Sequence, residues 1–282
     1  MNILILGATG MAGSAFYNYF KSLKFNVYGT YRNRISNSFF KDNYSNLIYY
    51  NNIFDNNLFQ MLINQIKPDY VINCIGVTNK KFEDISLLYK INADFPIFLD
   101  TQSKLLNFKL IHLSTDCVFS GTRGFYSEDD LTDPSDDYGK SKLEGEKLLS
   151  NNSFIIRTSI IGHEFNTNRG LLEWFLNQKD FCYGYKNAIF SGFPTIYLAE
   201  IIHKYIFSSN MYGLYHIASN PISKLNLLKL IAKVYNKRIK IIPEESVKID
   251  RSLNSSFFIS QTGFSSPDWD FLINQMFLNS KK

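Results

Sequence analysis

The stretch Ile3-Leu4-Ile5-Leu6-Gly7-Ala8-Thr9-Gly10-Met11-Ala12-Gly13 decides how the rest of this chain is read. Its apolar run stops at a glycine, as expected of a parallel strand buried on both faces. An amphipathic helix is predicted to follow over Met11–Leu23. Glycines at 7, 10 and 13 suit a tight turn, close backbone approach to a phosphate and close helix–strand packing. The helix N-terminus then offers free N–H groups to a diphosphate. Gly7, Thr9, Gly10, Met11 and Gly13 are therefore the expected dinucleotide-binding turn. A glycine-rich turn made for packing alone is the alternative.

Working outward, strands are predicted at Val27–Thr30 and Leu47–Tyr50, then a helix at Leu58–Ile66 closed by Lys67-Pro68. A strand at Tyr70–Cys74, a mostly helical Ile85–Leu105, a strand at Leu110–Leu113, a helix at Tyr138–Leu149 and a strand at Phe154–Arg157 continue the alternation. That rhythm is the pattern of an α/β, Rossmann-type doubly wound parallel sheet. After Thr158 it breaks. Helices are expected at Leu171–Gln178, Thr195–Phe207, Leu225–Tyr235 and Phe271–Leu278. Strands are expected at Gly213–Ile217 and at Arg238–Ile242, the latter ended by Pro243. Residues 1–158 are thus expected to form the nucleotide-binding domain and 159–282 a smaller C-terminal mixed α/β substrate lobe sharing an interface with it. Ligands of such sheets bind at the carboxyl edge.

The 282 residues are 45% apolar and 20% charged, which excludes a disordered or fibrous chain. No apolar run approaches the roughly 18 residues of a membrane span, and the N-terminus lacks the basic region of a signal peptide. Cys74, Cys117 and Cys182 make no CxxC pair and fit no metal or disulfide framework. A reducing, cytoplasmic setting is expected. The net charge of +5 is spread without a basic block, which suits a phosphorylated small molecule better than nucleic acid. Neither nucleic acid nor membrane is an expected partner.

Two further segments carry chemistry. Gly29-Thr30-Tyr31-Arg32-Asn33-Arg34 ends the second strand with two arginines and no acid, so NADPH is expected over NADH, Arg32 and Arg34 meeting the 2′-phosphate. The alternative is that both are solvated loop charges. Tyr138-Gly139-Lys140-Ser141-Lys142 opens a helix with Tyr138 and Lys142 on one face, a turn apart. A nearby ammonium favours the phenolate and is expected to lower the tyrosine pKa. Leu113-Ser114-Thr115-Asp116 ends a strand and puts hydroxyls at the sheet edge. Hydroxyl, tyrosine and lysine together suit carbonyl reduction, with Tyr138 giving a proton as hydride arrives.

With GATGMAG, STDCVFSG, YSEDD, YGKSKLEGE, INADFP and SGFPT in this order, the chain resembles extended short-chain dehydrogenase/reductases. Among these it is similar to the dTDP-4-dehydrorhamnose reductase family of sugar-nucleotide 4-ketoreductases. The resemblance implies NAD(P)H-dependent reduction of a 4-keto-6-deoxy-hexose on a nucleoside diphosphate. It assigns Thr115 to the keto oxygen, Tyr138 to the acid and Lys142 to the nicotinamide ribose. Asn92 supports the site, and Cys74, Ile75 and Gly76 lie along the cofactor. Homodimers are common in the family, although no stripe of this sequence marks an interface.

Related 4,6-dehydratases carry Asp-Glu after the strand-end threonine. Here Asp116 is followed by Cys117, which speaks against dehydration and is read as a packed thiol. Four second-lobe stretches, Arg157–Glu164, Gly170–Phe175, Tyr183–Gly192 and Asp250–Ser255, resemble a subgroup acting on UDP-linked, often N-acetylated sugars. A UDP-linked substrate is therefore the first expectation and the dTDP-rhamnose precursor the second. An added epimerase step and a non-catalytic regulatory subunit are further alternatives. Arg169, Lys186 and Arg251 are candidate diphosphate donors. Trp174 and Tyr185 are candidate stacking surfaces, with core packing as the alternative. Ser114 and Asp116 complete the expected substrate site. His163 beside Glu164 is read as a loop histidine, His112 as a satisfied buried one, and Asp129 and Asp130 as loop-ordering residues.

Overall fold

The computed structural model describes residues 1–32, 46–77, 84–147, 153–164, 169–207 and 209–280. Two compact units interleave along the chain. One comprises Met1–Leu113, Ser141–Ile155 and Met211–Gly213, the other Ser114–Lys140, Ile156–Asn210 and Leu214–Lys282.

In chain order the first elements are β1 (Asn2–Leu6), α1 (Met11–Ser22), β2 (Asn26–Tyr31), β3 (Leu47–Tyr49), α2 (Asn56–Ile66) and β4 (Tyr70–Asn73). They continue with α3 (Ile85–Tyr89), α4 (Phe95–Leu105), β5 (Lys109–Leu113), α5 (Asp137–Lys147) and β6 (Ser153–Arg157). Then come β7 (Ile160–Ile161), α6 (Leu171–Asn177), β8 (Phe181–Phe190), β9 (Phe193–Pro194) and α7 (Thr195–Ile201). The chain closes with β10 (Gly213–His216), β11 (Ile222–Ser223), α8 (Lys224–Val234), β12 (Lys240–Asp250), α9 (Ser256–Thr262) and α10 (Trp269–Asn279).

The main sheet has seven strands in the order β10-β6-β5-β4-β1-β2-β3. β1 pairs in parallel with both β2 and β4, β2 with β3, and β4 with β5. The order reverses beside β1, and at such a switch point dinucleotide-binding sheets open a crevice. The expected doubly wound parallel sheet is present. In the first unit Leu4, Leu6, Val71 and Leu110 from the strands meet Phe59, Leu62 and Ile63 of α2 and Phe95 and Leu99 of α4. Each large side chain so buried contributes about 1.5–3 kcal/mol. The Lys67-Pro68 stop acts as read, for Lys67 turns left-handed at φ 48° and its N–H closes on Ile63 O.

Ile85–Leu105 is not one regular helix. A π-helical turn, Lys90–Asp94, separates α3 from α4, with Phe95 N–H donating to Lys90 O. Pro96 has no N–H to give Asn92 O, so the regular ladder cannot pass this point.

The second unit contains a three-stranded sheet, β11-β8-β12, and the short pair β7-β9. The expected strand end at Pro243 is overturned, since β12 runs on to Asp250 and Pro243 sits opposite Gly184. β12 is an edge strand, where a missing N–H costs no ladder bond. β8 and α9 went unread as elements. In β8, exposed Phe181 and Tyr183 alternate with buried Cys182 and Gly184, so both faces are apolar or neutral and the period of two is hidden. The core of this unit gathers Ile161, Leu172, Phe175, Leu227, Leu228, Ile231, Ile273 and Met276. Among the described residues no helix is long and apolar enough to cross a membrane.

Candidate active site

The glycine turn lies between β1 and α1 in the first unit. Gly7 adopts φ +82°, and a Cβ on Gly13 would stand 2.2 Å from Gly7 O. Only glycine satisfies both positions without moving backbone. Gly10 is the N-cap of α1 with no side-chain cap, so the first-turn N–H groups from Met11 onward are left for an incoming acceptor. Thr30, overlooked in the sequence, pins the turn: its Oγ1 accepts from Gly7 N at 3.0 Å and its carbonyl from Ala8 N at 2.9 Å. Thr9 is half-buried in the turn, and Arg32 is exposed just beyond β2. Arg34 lies outside the described residues. This cradle fits a dinucleotide diphosphate.

The segment Cys74-Ile75-Gly76 leaves β4 against the same turn, Ile75 N standing 3.4 Å from a Cβ built on Gly7. Asn92, carried on the π-turn, clips this segment in place. Its Oδ1 accepts from Val77 N at 3.0 Å, while its Nδ2 donates to Val77 O at 2.8 Å and to Ser141 Oγ at 3.0 Å. Asn92 thereby ties the loop after β4 to α5. Ser141 was missed, although it stands inside the quoted YGKSK.

Lys142 is 3% exposed. Its Nζ donates to Leu113 O at 2.6 Å and lies 3.3 Å from His112 Nε2. Burial brings its pKa down to about 8 against the pull of Glu146 and Cys74. His112 is buried and satisfied as read, and burial and the neighbouring Lys142 hold it well below its ordinary value. The Lys142 shift fixes a pH dependence of stability. Between about 8 and the ordinary value of 10.5 the unfolded chain holds the extra proton, so stability rises with pH across that window. Below it the penalty of the buried ammonium is complete. The melting temperature of Lys142→Met minus that of the parent is therefore expected to be largest near pH 7 and to shrink toward pH 10. A difference that is flat with pH refutes the depressed lysine.

In the second unit, Thr115 ends the extended run after β5 and caps a 3-10 turn, Asp116–Val118, its Oγ1 accepting from Cys117 N at 3.1 Å. Thr115 and Tyr138 share a side-chain hydrogen bond. Gly139 permits this closeness, for a Cβ there would stand 2.2 Å from Cys117 O. Tyr138 does not show the expected lowered pKa. Burial and the neighbouring Cys117 raise it, the Thr115 bond opposing them, and the phenol stays protonated. For a group that must donate a proton, that is the useful resting state. Asp116 is buried, its carboxyl raised by burial and lowered by Arg251. Cys117 is pushed up to about 12 by burial and Asp116, the inert thiol expected. Ser114 is buried, its N–H donating to Ile156 O at 2.7 Å.

Arg251 turns inward. Its Nε donates to Phe119 O at 2.8 Å, Nη1 to Cys117 Sγ at 3.3 Å and Nη2 to Ser135 Oγ at 3.1 Å. The remaining candidates are dispersed. Lys186 is exposed and paired with Glu245 across β8 and β12 at 2.7 Å. Arg169 is exposed and Tyr185 half-buried. Trp174 is 37% exposed on α6, so it is not core. His163 meets Glu173 at 2.7 Å and Tyr235 Oη at 2.9 Å, not Glu164, which accepts from the backbone of Arg169 and Gly170. Asp130 orders its loop as read, accepting from Ser127 N and pairing with Arg123.

Comparison with known proteins gives consistent matches. The family described as RmlD substrate binding domain matches residues 1–277. A dTDP-4-dehydrorhamnose reductase of Aggregatibacter actinomycetemcomitans is 32% identical over 173 residues, 57% of this chain and 58% of that protein. Methionine adenosyltransferase 2 subunit beta of Xenopus tropicalis is 32% identical over 155 residues, 53% of this chain and 43% of that protein. The matched part thus spans about half the length of these curated relatives. Among solved structures, dTDP-4-dehydrorhamnose reductase from Bacillus anthracis in complex with NADP superposes with a TM-score of 0.80 at 23% identity, covering 99% of each chain.

Proposed function

The chain belongs to the RmlD substrate binding domain family, and from that membership we propose that it reduces the C4 keto group of a nucleoside-diphosphate 4-keto-6-deoxy-hexose with NADPH. The observation that carries this reading is the strand-end Thr115 hydrogen-bonded to a protonated Tyr138 at the start of α5, with Lys142 one turn along the same helix. The reductase names among the relatives support a dTDP-linked deoxyhexose over the UDP-linked, N-acetylated sugar expected from the second-lobe stretches.

In this reading residues 1–158 hold the cofactor, its diphosphate on the N–H groups of the Gly7–Gly13 turn and its adenosine end near Arg32. Residues 159–282 contribute most of the sugar-nucleotide lobe. Bound there, NADPH supplies the hydride. Thr115 holds the keto oxygen by a hydrogen bond, and Tyr138 transfers its phenolic proton to that oxygen as charge develops on it. The resulting phenolate is reprotonated from solvent. Arg251, fixed beside Asp116 and Cys117, is the cation best held to meet an anionic substrate. Three cysteines, all free, suit a reducing cytoplasm.

The test offers the purified chain two ketones while NADPH absorbance is followed. One is dTDP-4-keto-6-deoxy-glucose, offered with and without a 3,5-epimerase. The other is UDP-4-keto-6-deoxy-GlcNAc. Oxidation with the dTDP sugar is expected. Oxidation with the UDP sugar alone restores the amino-sugar substrate. Silence with both, alongside tight NADPH binding, favours a regulatory subunit of the kind that the methionine adenosyltransferase similarity suggests.

A further inference from the structure

A buried chain of polar groups runs behind Lys142, all of it within the first unit. Asn73 closes β4, His112 lies beside it on β5, and Lys142 reaches His112 from α5. Asn73 Nδ2 is 3.1 Å from His112 Nδ1, and His112 Nε2 is 3.3 Å from Lys142 Nζ. Asn73 and His112 are both fully buried.

One fixed donor determines the direction of every bond in it. Ile75 N–H donates to Asn73 Oδ1 at 3.0 Å, and a backbone amide nitrogen can only donate. Reversing the Asn73 amide would set its NH₂ against that N–H. Asn73 therefore keeps its oxygen on Ile75 and presents its NH₂ to the imidazole. His112 Nδ1 must accept, so the proton of the neutral ring sits on Nε2. That proton points at Lys142 Nζ, which can accept it only as an uncharged amine while still donating to Leu113 O at 2.6 Å.

We propose that His112 is a positioning residue for Lys142: Asn73 locks its ring as the Nε2–H tautomer, and that tautomer makes the lysine amine a hydrogen-bond acceptor. A hydrogen bond to the neutral form disfavours the charged one. Burial lowers Lys142 in the same sense, and burial together with the Lys142 charge keeps His112 neutral. Other groups facing Nζ act in the opposite sense. Glu146, one turn further along α5, and Cys74, after β4, both favour the ammonium. In the reductase reading, on which the kinetic part of this inference rests, Lys142 acts as a cation, so His112 sets the pH above which the rate falls.

The tautomer is read without any substrate. In the cofactor-free chain labelled with ¹⁵N-histidine, the His112 signals, identified by their loss in His112→Gln, are expected to show a neutral ring protonated at Nε2 from pH 6 to 9. A ring protonated at Nδ1, or an imidazolium in that range, overturns the proposal. The second measurement is the pH profile of ketone reduction. In His112→Gln a carbonyl oxygen can face Nζ, and in Asn73→Asp a carboxylate demands the proton at Nδ1 and leaves Nε2 as acceptor. Both variants are expected to move the alkaline limb up by about one pH unit. A limb that stays or moves down in both overturns the tuning. An Nε2–H ring with no ketone reduced leaves this inference standing and removes the reductase reading. Reduction with an Nδ1–H ring removes this inference alone.

Discussion

Tyr138→Phe is expected to lower turnover of the 4-keto sugar nucleotide by about 10²–10⁴-fold with NADPH affinity unchanged. The substitution deletes one oxygen and leaves the ring. That oxygen is hydrogen-bonded to Thr115, and burial keeps it protonated, so it is a loaded donor waiting for the ketone. Without it the developing alkoxide must draw a proton from water. Cofactor affinity should hold because the diphosphate cradle, Gly7 to Gly13, is built from backbone on β1 and α1, distant in sequence from α5. Steady-state kinetics and NADPH fluorescence on the same preparation decide the matter. Undiminished turnover in Tyr138→Phe ends the assignment of the proton donor, and with it the carbonyl-reduction mechanism.

Gly13→Ala is expected to weaken NADPH binding roughly 10- to 100-fold, the equivalent of about 1–3 kcal/mol of overpacking. The added Cβ meets Gly7 O at 2.2 Å, Gly7 C at 2.8 Å and Ala8 Cα at 2.9 Å, and all three are backbone atoms. No flexible side-chain end is there to yield. Helix α1 cannot simply retreat, because Phe16, Tyr17 and Phe20 are fully buried beneath it. The turn must therefore open, and its N–H groups lose their common aim. Helix propensity pulls the other way, since alanine is favoured over glycine in a helix by about 1 kcal/mol. The two effects have opposite signs, which makes the variant informative. Thermal melts with and without NADPH separate them: a higher melting temperature together with intact binding would mean that the close contact at Gly13 carries no weight.

Much of the site was legible because its signals are local. The turn between β1 and α1 is a run of neighbours whose spacing states its geometry, and Tyr138 and Lys142 share a helix face by periodicity alone. Where reading failed, the deciding term was not local. Pro243 reads as a strand end until the topology shows that β12 lies at an edge. Lys186 reads as a free cation until the β8–β12 register brings Glu245 to it. The tyrosine was expected to have a lowered pKa on the strength of a lysine four positions away, whereas burial and the neighbouring Cys117 raise it against the Thr115 hydrogen bond.

The alternating sheet, the glycine cradle and the types of residue at the reacting centre follow from local pattern, since strand and helix periods and turn chemistry act over a few residues. It takes the packed chain to bring Arg251 to Phe119 across 132 positions, and to join Asn73, His112 and Lys142 in one buried chain. Packing likewise supplies the burial that brings Lys142 down to about 8. Register across strands and removal of water are properties of the packed chain, and no local pattern encodes them.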